Sequence, residues 1–381
     1  MKILLIEDDK RKRQAITSHL TKGGIANEDI FIAKNMTDFA GYLHLDIGLF
    51  IIDFKIPNCD NGTASSNGKS ILEAIIKAGK NDALLLAISS YPAEFPEMRE
   101  FYESNGCILA DFANKKGWQS TLDHLLIQLK KNVKLDFIIF CALLAERNPY
   151  VTIIGGRQIT RSGVDCYDIE IGEKKGTVVL LPQMGLVNAA VIAGVCIDRF
   201  KPAVVGMSGI CGGFEQRANK GQLLISSMVY EYQSGKWAAD GFKQEPYQVH
   251  TDNTTLTDLK VLSNKEGLIR ELEEGFDGGK RPMETFKPEV GIFTSGSSVI
   301  ADREYLTQIE GIHRKVNALD MEIFAVQRAA ELSPHRPACI CAKTVVDLCD
   351  ANKTDDLHLY GSYISSKFMI RAIKDYFSKR L

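Results

Sequence analysis

Two groups of acidic residues are spaced so that they could do chemistry. The first lies in residues 318–350, ALDMEIFAVQRAAELSPHRPACICAKTVVDLCD. Asp320 and Glu322 stand just ahead of a run with helical apolar spacing, namely Ile323, Phe324, Val326, Ala329 and Ala330. Asp347 and Asp350 follow an apolar run interrupted only by Lys343 and Thr344. Carboxylates at both ends of one buried unit suit a site that grips a polyol and moves a proton. One acid accepts hydrogen bonds from hydroxyls while another gives or takes the proton. The plainer reading is a helix start decorated with acids, which the helix dipole favours, followed by a solvated strand end. The second group is Glu7, Asp8 and Asp53, acids that directly follow short apolar, strand-like runs.

The elements that must position these groups follow from the apolar pattern. Pro334 and Pro337 end the helix after Glu322, because proline cannot continue the hydrogen-bond ladder. Residues 338–346 then read as a strand covered on both faces. In the first third of the chain, strand-like runs at 2–6, 48–52, 83–88 and 107–112 alternate with helical stretches, which predicts a parallel, doubly wound sheet. The chemically loaded residues sit at the C-terminal ends of those runs: Glu7 and Asp8, then Asp53, Ser89 and finally Lys115. Open α/β sheets place their ligand crevices at those ends.

Residues 119–131 carry Leu122, Leu125, Leu126 and Leu129 on one helical face. A short join follows (Lys130, Lys131, Asn132, Lys134), with no Gly/Pro/Ser-rich tether, so a packed connection that transmits a signal geometrically is expected. The expected domains are 1–131 and 132–381. In the second, a strand at 137–145 should end at Glu146 and Arg147, with further strands at 177–181 and 203–207. A helix rich in small residues should span 185–200. Residues 208–214, SGICGGF, read as a glycine-rich turn that lets a ligand approach the backbone of Ile210, Cys211 and Gly212.

Bulk properties exclude several classes. The 381 residues are 45% hydrophobic, enough for a full core in two domains. A formal net charge of −2 makes no electrostatic case for nucleic acid as partner. The nine cysteines include no CxxC pair, and Cys339 and Cys341 alternate inside an apolar strand, as small core residues do. The apolar runs at 137–145 and 189–197 are too short to span a bilayer. The opening residues read as a strand and not as an apolar leader. A soluble cytoplasmic protein is expected, without a membrane partner.

The order acid pair, Asp53, Ser89, Lys115 at successive strand ends resembles the receiver domain of two-component response regulators, over residues 1–131. The resemblance implies a doubly wound (βα)5, flavodoxin-like fold with Mg²⁺ held by Glu7, Asp8 and Asp53. Asp53 would accept a phosphoryl group from a cognate sensor histidine kinase. Ser89 would supply the switch hydroxyl, and Lys115 would pair with the phosphoryl oxygens as a compact positive charge. Lys116 stands where that family usually has proline, and residues 61–68 lengthen the loop after Asp53.

In the second half, the strand before Glu146, the small-residue helix, VVGMSGICGGF, GIFTSGSSVI (291–300), ALDMEIFAV and KTVVDLCD occur in the order seen in the purine nucleoside phosphorylase/nucleosidase superfamily. The likeness covers about residues 135–381 and is greatest to the nucleosidases acting on methylthioadenosine, S-adenosylhomocysteine or AMP. It implies an α/β/α domain with a mixed sheet and an N-glycosidase that needs no cofactor for the cleavage. It implies that Asp347 handles the proton at purine N7, that Glu322 binds the ribose hydroxyls and that Glu146 orients the attacking water. Met321 would lie against the sugar, Asp320 would be a further substrate-binding residue, and Val299 and Ile300 would face the base. Such a division of labour suits a reaction that passes through an oxocarbenium-like sugar and must protonate its leaving base. Basic residues near these motifs, Arg157, Arg161, Arg217, Lys236 and Lys343, point as a group to a 5′-phosphorylated substrate, and GGRQITRSG (155–163) reads as a phosphate-facing loop.

A receiver joined to an adenine-type nucleosidase resembles the effector of Detocs-type two-component phage-defence systems. That resemblance implies depurination of ATP to adenine and ribose 5′-triphosphate, switched on by phosphorylation of Asp53, in a homo-oligomer. A housekeeping phosphorylase or nucleosidase and a non-enzymatic purine-nucleotide sensor are the other readings.

Overall fold

Ile3 and Leu5 face one side of the first strand and Leu4 and Ile6 the other, because successive strand side chains alternate, and all four are buried. A strand buried on both faces needs helices on both faces, and the chain supplies them. The structure, a computed structural model, describes residues 2–45, 47–80, 82–131, 134–161, 163–239, 241–300, 302–349 and 355–380. It divides into two compact units, residues 1–133 and 134–381.

The first unit runs β1 (Lys2–Ile6), α1 (Lys10–Lys22), β2 (Ile30–Ala33), α2 (Met36–Tyr42), β3 (Ile47–Ile52), α3 (Gly68–Lys77), β4 (Leu84–Ser89), α4 (Phe95–Ser104), β5 (Cys107–Asp111) and α5 (Lys115–Lys131). Its five strands are all parallel, in the order β2-β1-β3-β4-β5. On one face Ile3, Leu5, Leu49, Ile51, Leu86 and Ile88 pack against α1 and α5 through Ile16, Leu20, Trp118, Leu122 and Leu126. On the other, Leu4, Ile6, Phe50 and Ile52 meet Phe39, Ile71, Leu72, Ile75 and Tyr102 from α2, α3 and α4. In this strand order the chain reverses direction across the sheet between β1 and β3, and a crevice forms beyond their C-terminal ends. Glu7 and Asp53 are the residues that leave those two strands.

The second unit continues β6 (Phe137–Cys141), α6 (Leu144–Ile153), β7 (Arg157–Arg161), β8 (Val164–Ile171), β9 (Lys174–Leu180), α7 (Leu186–Phe200), β10 (Val204–Gly213), β11 (Leu223–Glu231), β12 (Gly235–Ala238), β13 (Gly241–Gln244), β14 (Gln248–His250), α8 (Asn253–Ser263), α9 (Leu268–Glu273), β15 (Glu289–Ser295), α10 (Arg303–Ile312), β16 (Val316–Asp320), α11 (Ile323–Leu332), β17 (Ala338–Asp347) and α12 (His358–Ser378). A mixed ten-stranded sheet forms its centre. β10 pairs with β6, β17 and β16, while β11 pairs with β17 and β15, and β15 with β16. The path β10–β17–β11–β15–β16 therefore returns to β10, and five strands close a ring. α12 covers the sheet with Tyr360, Ile364, Phe368, Met369 and Ile373. Among the described residues no helix is long and apolar enough to cross a membrane.

Several expectations are corrected. Residues 208–213 are not a turn: β10 runs straight through them, because β17 and β16 offer pairing partners as far as Gly213. The strand expected at 137–145 stops at Cys141, and Glu146 is the third residue of α6. The supposed loop at 155–163 contains β7, an edge strand paired antiparallel with β8. β2 was not anticipated, since IFIA is short and only its last residue is fully buried. Asp350 and Asn132 lie outside the described residues.

Gly68 opens α3 directly against the Asp53 backbone. A β-carbon there would stand 2.6 Å from the Tyr102 hydroxyl and 2.9 Å from the Asp53 carbonyl oxygen. Glycine to alanine near a helix start normally stabilises by up to about 1 kcal/mol, but overpacking costs roughly 1–3 kcal/mol. Gly68→Ala should therefore destabilise the first unit, measured by urea unfolding and by faster amide exchange in β3 and β4. A neutral or stabilising outcome would mean that α3 shifts freely.

Candidate active site

The end of the ring where β10, β16 and β17 meet holds a cavity of about 160 Å³. It is lined by Glu146, by Ile210, Cys211 and Gly212, by Val299 and Ile300, by Asp320, Met321 and Glu322, and by Lys343 and Asp347. Each arrives from a different strand end or loop, and pairing brings them together. Gly212 lies opposite both Leu319 on β16 and Asp347 on β17, at a bulge in the β10–β17 register. A bulge of this kind turns a strand end and re-aims its side chains. Residue 212 has to be small, since a β-carbon would lie 2.2 Å from Cys349 Sγ and 3.2 Å from Asp347 Oδ1.

Glu146 is positioned by backbone alone. The chain turns from β6 into α6 through Ala142 and Leu143, and the first helical N–H groups lack intrahelical partners. Glu146 Oε2 reaches back to accept from the two residues ahead of the helix, Ala142 N at 2.7 Å and Leu143 N at 3.0 Å. Its Oε1 accepts from Ile210 N on β10 at 2.9 Å. Gly209 allows this approach, because any β-carbon would stand 2.0 Å from Oε1. Burial pushes the Glu146 carboxyl above its ordinary value of 4.5, against the opposing pull of Lys343 and the Ile210 N–H.

Lys343 is the charge that makes the acid cluster possible. Its Nζ lies 2.8 Å from Asp320 Oδ2 and 2.8 Å from Glu322 Oε2, with all three side chains buried. Burial acts to lower the lysine, but Asp320, Glu322 and Glu146 outweigh it and hold the ammonium well above its ordinary value. Asp320 Oδ2 also accepts from Glu322 N and Ile323 N at 3.0 and 2.9 Å, and its Oδ1 takes the Ser295 hydroxyl. Asp320 lines the cavity and at the same time braces the start of α11 through these bonds. Glu322 keeps one oxygen on Gly185 N at 3.0 Å. Asp347 Oδ1 accepts from Cys349 N at 2.8 Å, which fixes the acid at the strand end.

Of the basic residues expected around a phosphate, Lys343 lines the cavity, whereas Arg157, Arg161 and Lys236 are not among its lining. Arg161 is bonded through both terminal nitrogens to Asp168 of β8, and Arg157 is exposed on the same edge strand. Lys236 is exposed on β12 of the β12–β13 hairpin. Lys343 faces carboxylates, as described. The cavity also takes in Leu143, Met184, Ser298, Val346, Cys349 and His358, which the sequence reading missed. Met184 lies two residues before α7 and His358 is the first residue of α12, places that only the folded chain juxtaposes.

A second acid pocket lies in the first unit. One carboxylate oxygen from each of Glu7, Asp8 and Asp53 falls within 4.8 Å of the others. This hard-oxygen donor set fits Mg²⁺. However, Lys12 Nζ stands 2.7 Å from Glu7 Oε2 and 2.8 Å from Asp53 Oδ1. Burial pushes Glu7 up to about 7 and raises Asp53 as well, in each case against the opposing pull of Lys12. Ser89 is fully buried at the end of β4, where its hydroxyl accepts from Tyr91 N at 3.1 Å. Lys115 is exposed at the first residue of α5, and the ammonium that contacts Asp53 is that of Lys12.

Comparison with known proteins accords with this geometry. The uncharacterized protein y4jS of Sinorhizobium fredii is 27% identical over 408 aligned positions, covering 98% of both chains. The ATP nucleosidase Cap17 of Escherichia coli strain KTE188 is 26% identical over 220 positions, which span 54% of this chain and 43% of that protein. The structure of Helicobacter pylori 5′-methylthioadenosine/S-adenosylhomocysteine nucleosidase with butyl-thio-DADMe-Immucillin-A covers 64% of this chain and 99% of its own, with a TM-score of 0.53 at 15% identity, a likeness of fold. The phosphorylase superfamily model matches residues 138–378, which include the whole ring of strands and every acid on the cavity. By that match the chain belongs to the phosphorylase superfamily.

Proposed function

We propose that this protein is a nucleosidase that hydrolyses the N-glycosidic bond of an adenosine nucleotide, releasing adenine from ATP and leaving ribose 5′-triphosphate. The observation that carries the reading is the convergence of Glu146, Glu322 and Asp347 on one buried cavity. Glu322, oriented by Lys343 and Gly185 N, is the acceptor for ribose hydroxyls. Glu146 orients the attacking water at the sugar, and Asp347 handles the proton at the leaving base. The lysine keeps the cluster anionic on balance, which favours an oxocarbenium-like sugar. The choice of ATP is supported by the similarity to the ATP nucleosidase Cap17. The apolar walls, Leu143, Met184, Val299 and Val346, favour a second reading, a thioether nucleoside such as methylthioadenosine.

The first unit is proposed to be a receiver in which Asp53 takes a phosphoryl group from a sensor histidine kinase and thereby switches the nucleosidase on. Its support is the parallel 2-1-3-4-5 sheet with Glu7, Asp8 and Asp53 at one crevice. Mg²⁺ held by those three carboxylates would neutralise the phosphoryl oxygens. The use proposed for such an effector is the Detocs-type phage defence, in the cytoplasm. A homo-oligomer fits the exposed stripe Val187, Val191 and Val195 on α7, since an exposed apolar face marks an interaction surface. Val191→Glu should then lower the mass measured by light scattering.

Purified protein incubated with ATP should release adenine, detected by chromatography, and release should rise with a small phosphodonor and Mg²⁺. Asp347→Ala should abolish it and Asp53→Ala should remove the stimulation. Turnover of methylthioadenosine with ATP untouched would replace the substrate, and full activity of Asp347→Ala would sink the site. The kcat/KM profile should fall on its acidic side above pH 4.5, the ordinary value for the Glu146 side chain, because burial raises that group and it must be ionised to orient water. Lys343→Met should be inactive and destabilised by roughly 3–5 kcal/mol in chemical denaturation, because two buried carboxylates lose their counter-charge.

A further inference from the structure

We propose that Lys12 is the resident counter-ion of the Glu7–Asp8–Asp53 pocket, so that a divalent cation enters only by displacing the Lys12 ammonium. The inference concerns the acid pocket alone and does not depend on the nucleosidase reading. Lys12 is the third residue of α1, whose N-cap Asp9 accepts from Lys12 N at 2.7 Å. A positive charge in the first turn opposes the helix dipole, so the helix itself gives the ammonium no reason to be there. The side chain is nonetheless only 3% exposed and ends between Glu7 Oε2 at 2.7 Å and Asp53 Oδ1 at 2.8 Å. Those are two of the three carboxylates that could hold a metal. The ammonium sets a full positive charge beside the place a divalent ion would take between the same carboxylates, and the two cations repel each other there.

The displaced ammonium has somewhere to go. The Phe112 ring centroid lies 5.8 Å from Lys12 Nζ, within the range at which an aromatic face attracts a cation. With Lys12 in place the three carboxylates and the lysine sum to −2, and after exchange a divalent ion leaves the pocket at −1. Occupancy by metal and occupancy by Lys12 are therefore alternative states of one site. The lysine sets the metal concentration at which the pocket fills.

The test is calorimetric titration of the full-length protein with MgCl2 and MnCl2. Lys12→Met should bind either ion at least ten-fold more tightly than the wild type, which is about 1.4 kcal/mol. Lys12→Arg, which keeps a charge, should stay near the wild type, and Glu7→Gln added to Lys12→Met should lose the gain. Affinities of wild type and Lys12→Met within two-fold of each other would overturn the proposal. So would absence of binding by Lys12→Met. Should Lys12→Met fail to fold in metal-free buffer, the comparison passes to Lys12→Gln and is read as Mg²⁺-induced rise in Tm. A rise in the variant alone supports displacement, and equal rises in variant and wild type refute it.

Discussion

The second unit depends on one buried ammonium. Lys343 sits within 2.8 Å of both Asp320 and Glu322, and all three side chains are shielded from water. Two carboxylates so placed repel each other strongly in a low-dielectric interior, and each alone would be expensive to desolvate. A lysine between them changes the sign of that balance, and Glu322 can then keep an oxygen at the cavity while Asp320 braces β16 and the start of α11. Lys343 cannot drift from this position, because β17 is paired on both sides at that residue, with Gly209 of β10 and with Leu224 of β11.

Closure of the ring follows from the same strands. β10 reaches Gly213 and pairs there with β16, while its other edge follows β17 as far as Asp347. Acids that are 27 residues apart in the chain, Asp320 and Asp347, are thus tied to one short stretch of β10. Glycine at 209 and 212 is what lets the carboxylate of Glu146 and the side chains of Asp347 and Cys349 crowd against that strand. Small residues here are a steric requirement of the acids, and not a sign that the backbone turns.

That distinction explains what could be read in the chain beforehand and what could not. Apolar runs bounded by acids revealed the parallel sheet of the first unit, and ordered motifs brought Glu146, Glu322 and Asp347 into one candidate site. Local pattern failed where long-range pairing decides the outcome. SGICGGF has the composition of a turn, yet two partner strands hold it extended. GGRQITRSG looked like a phosphate loop, yet β8 pairs with it and Asp168 takes the Arg161 guanidinium. Lys343 looked like a ligand contact because its two carboxylate partners approach from another strand. Lys12 drew no notice at all, since among Lys10, Arg11 and Arg13 it is one basic residue in four, and only its position on the inner side of α1 separates it from its solvated neighbours.

Both units place carboxylates at strand ends and set a lysine among them, but they anchor that lysine differently. Lys343 belongs to a central strand with neighbours on both sides, so its charge is a permanent part of the cavity and the acids around it are fixed in register. Lys12 belongs to the first turn of a helix, is held by its own side chain, and has an aromatic face within reach. Moving a side chain from one partner to another costs a rotamer change, whereas moving Lys343 would cost several strand hydrogen bonds. The chemistry each pocket can support follows from this difference. A fixed counter-charge suits a cavity that must present the same electrostatic field at every turnover. A replaceable one suits a pocket whose charge has to differ between two states, which is the physical requirement for any switch driven by charge.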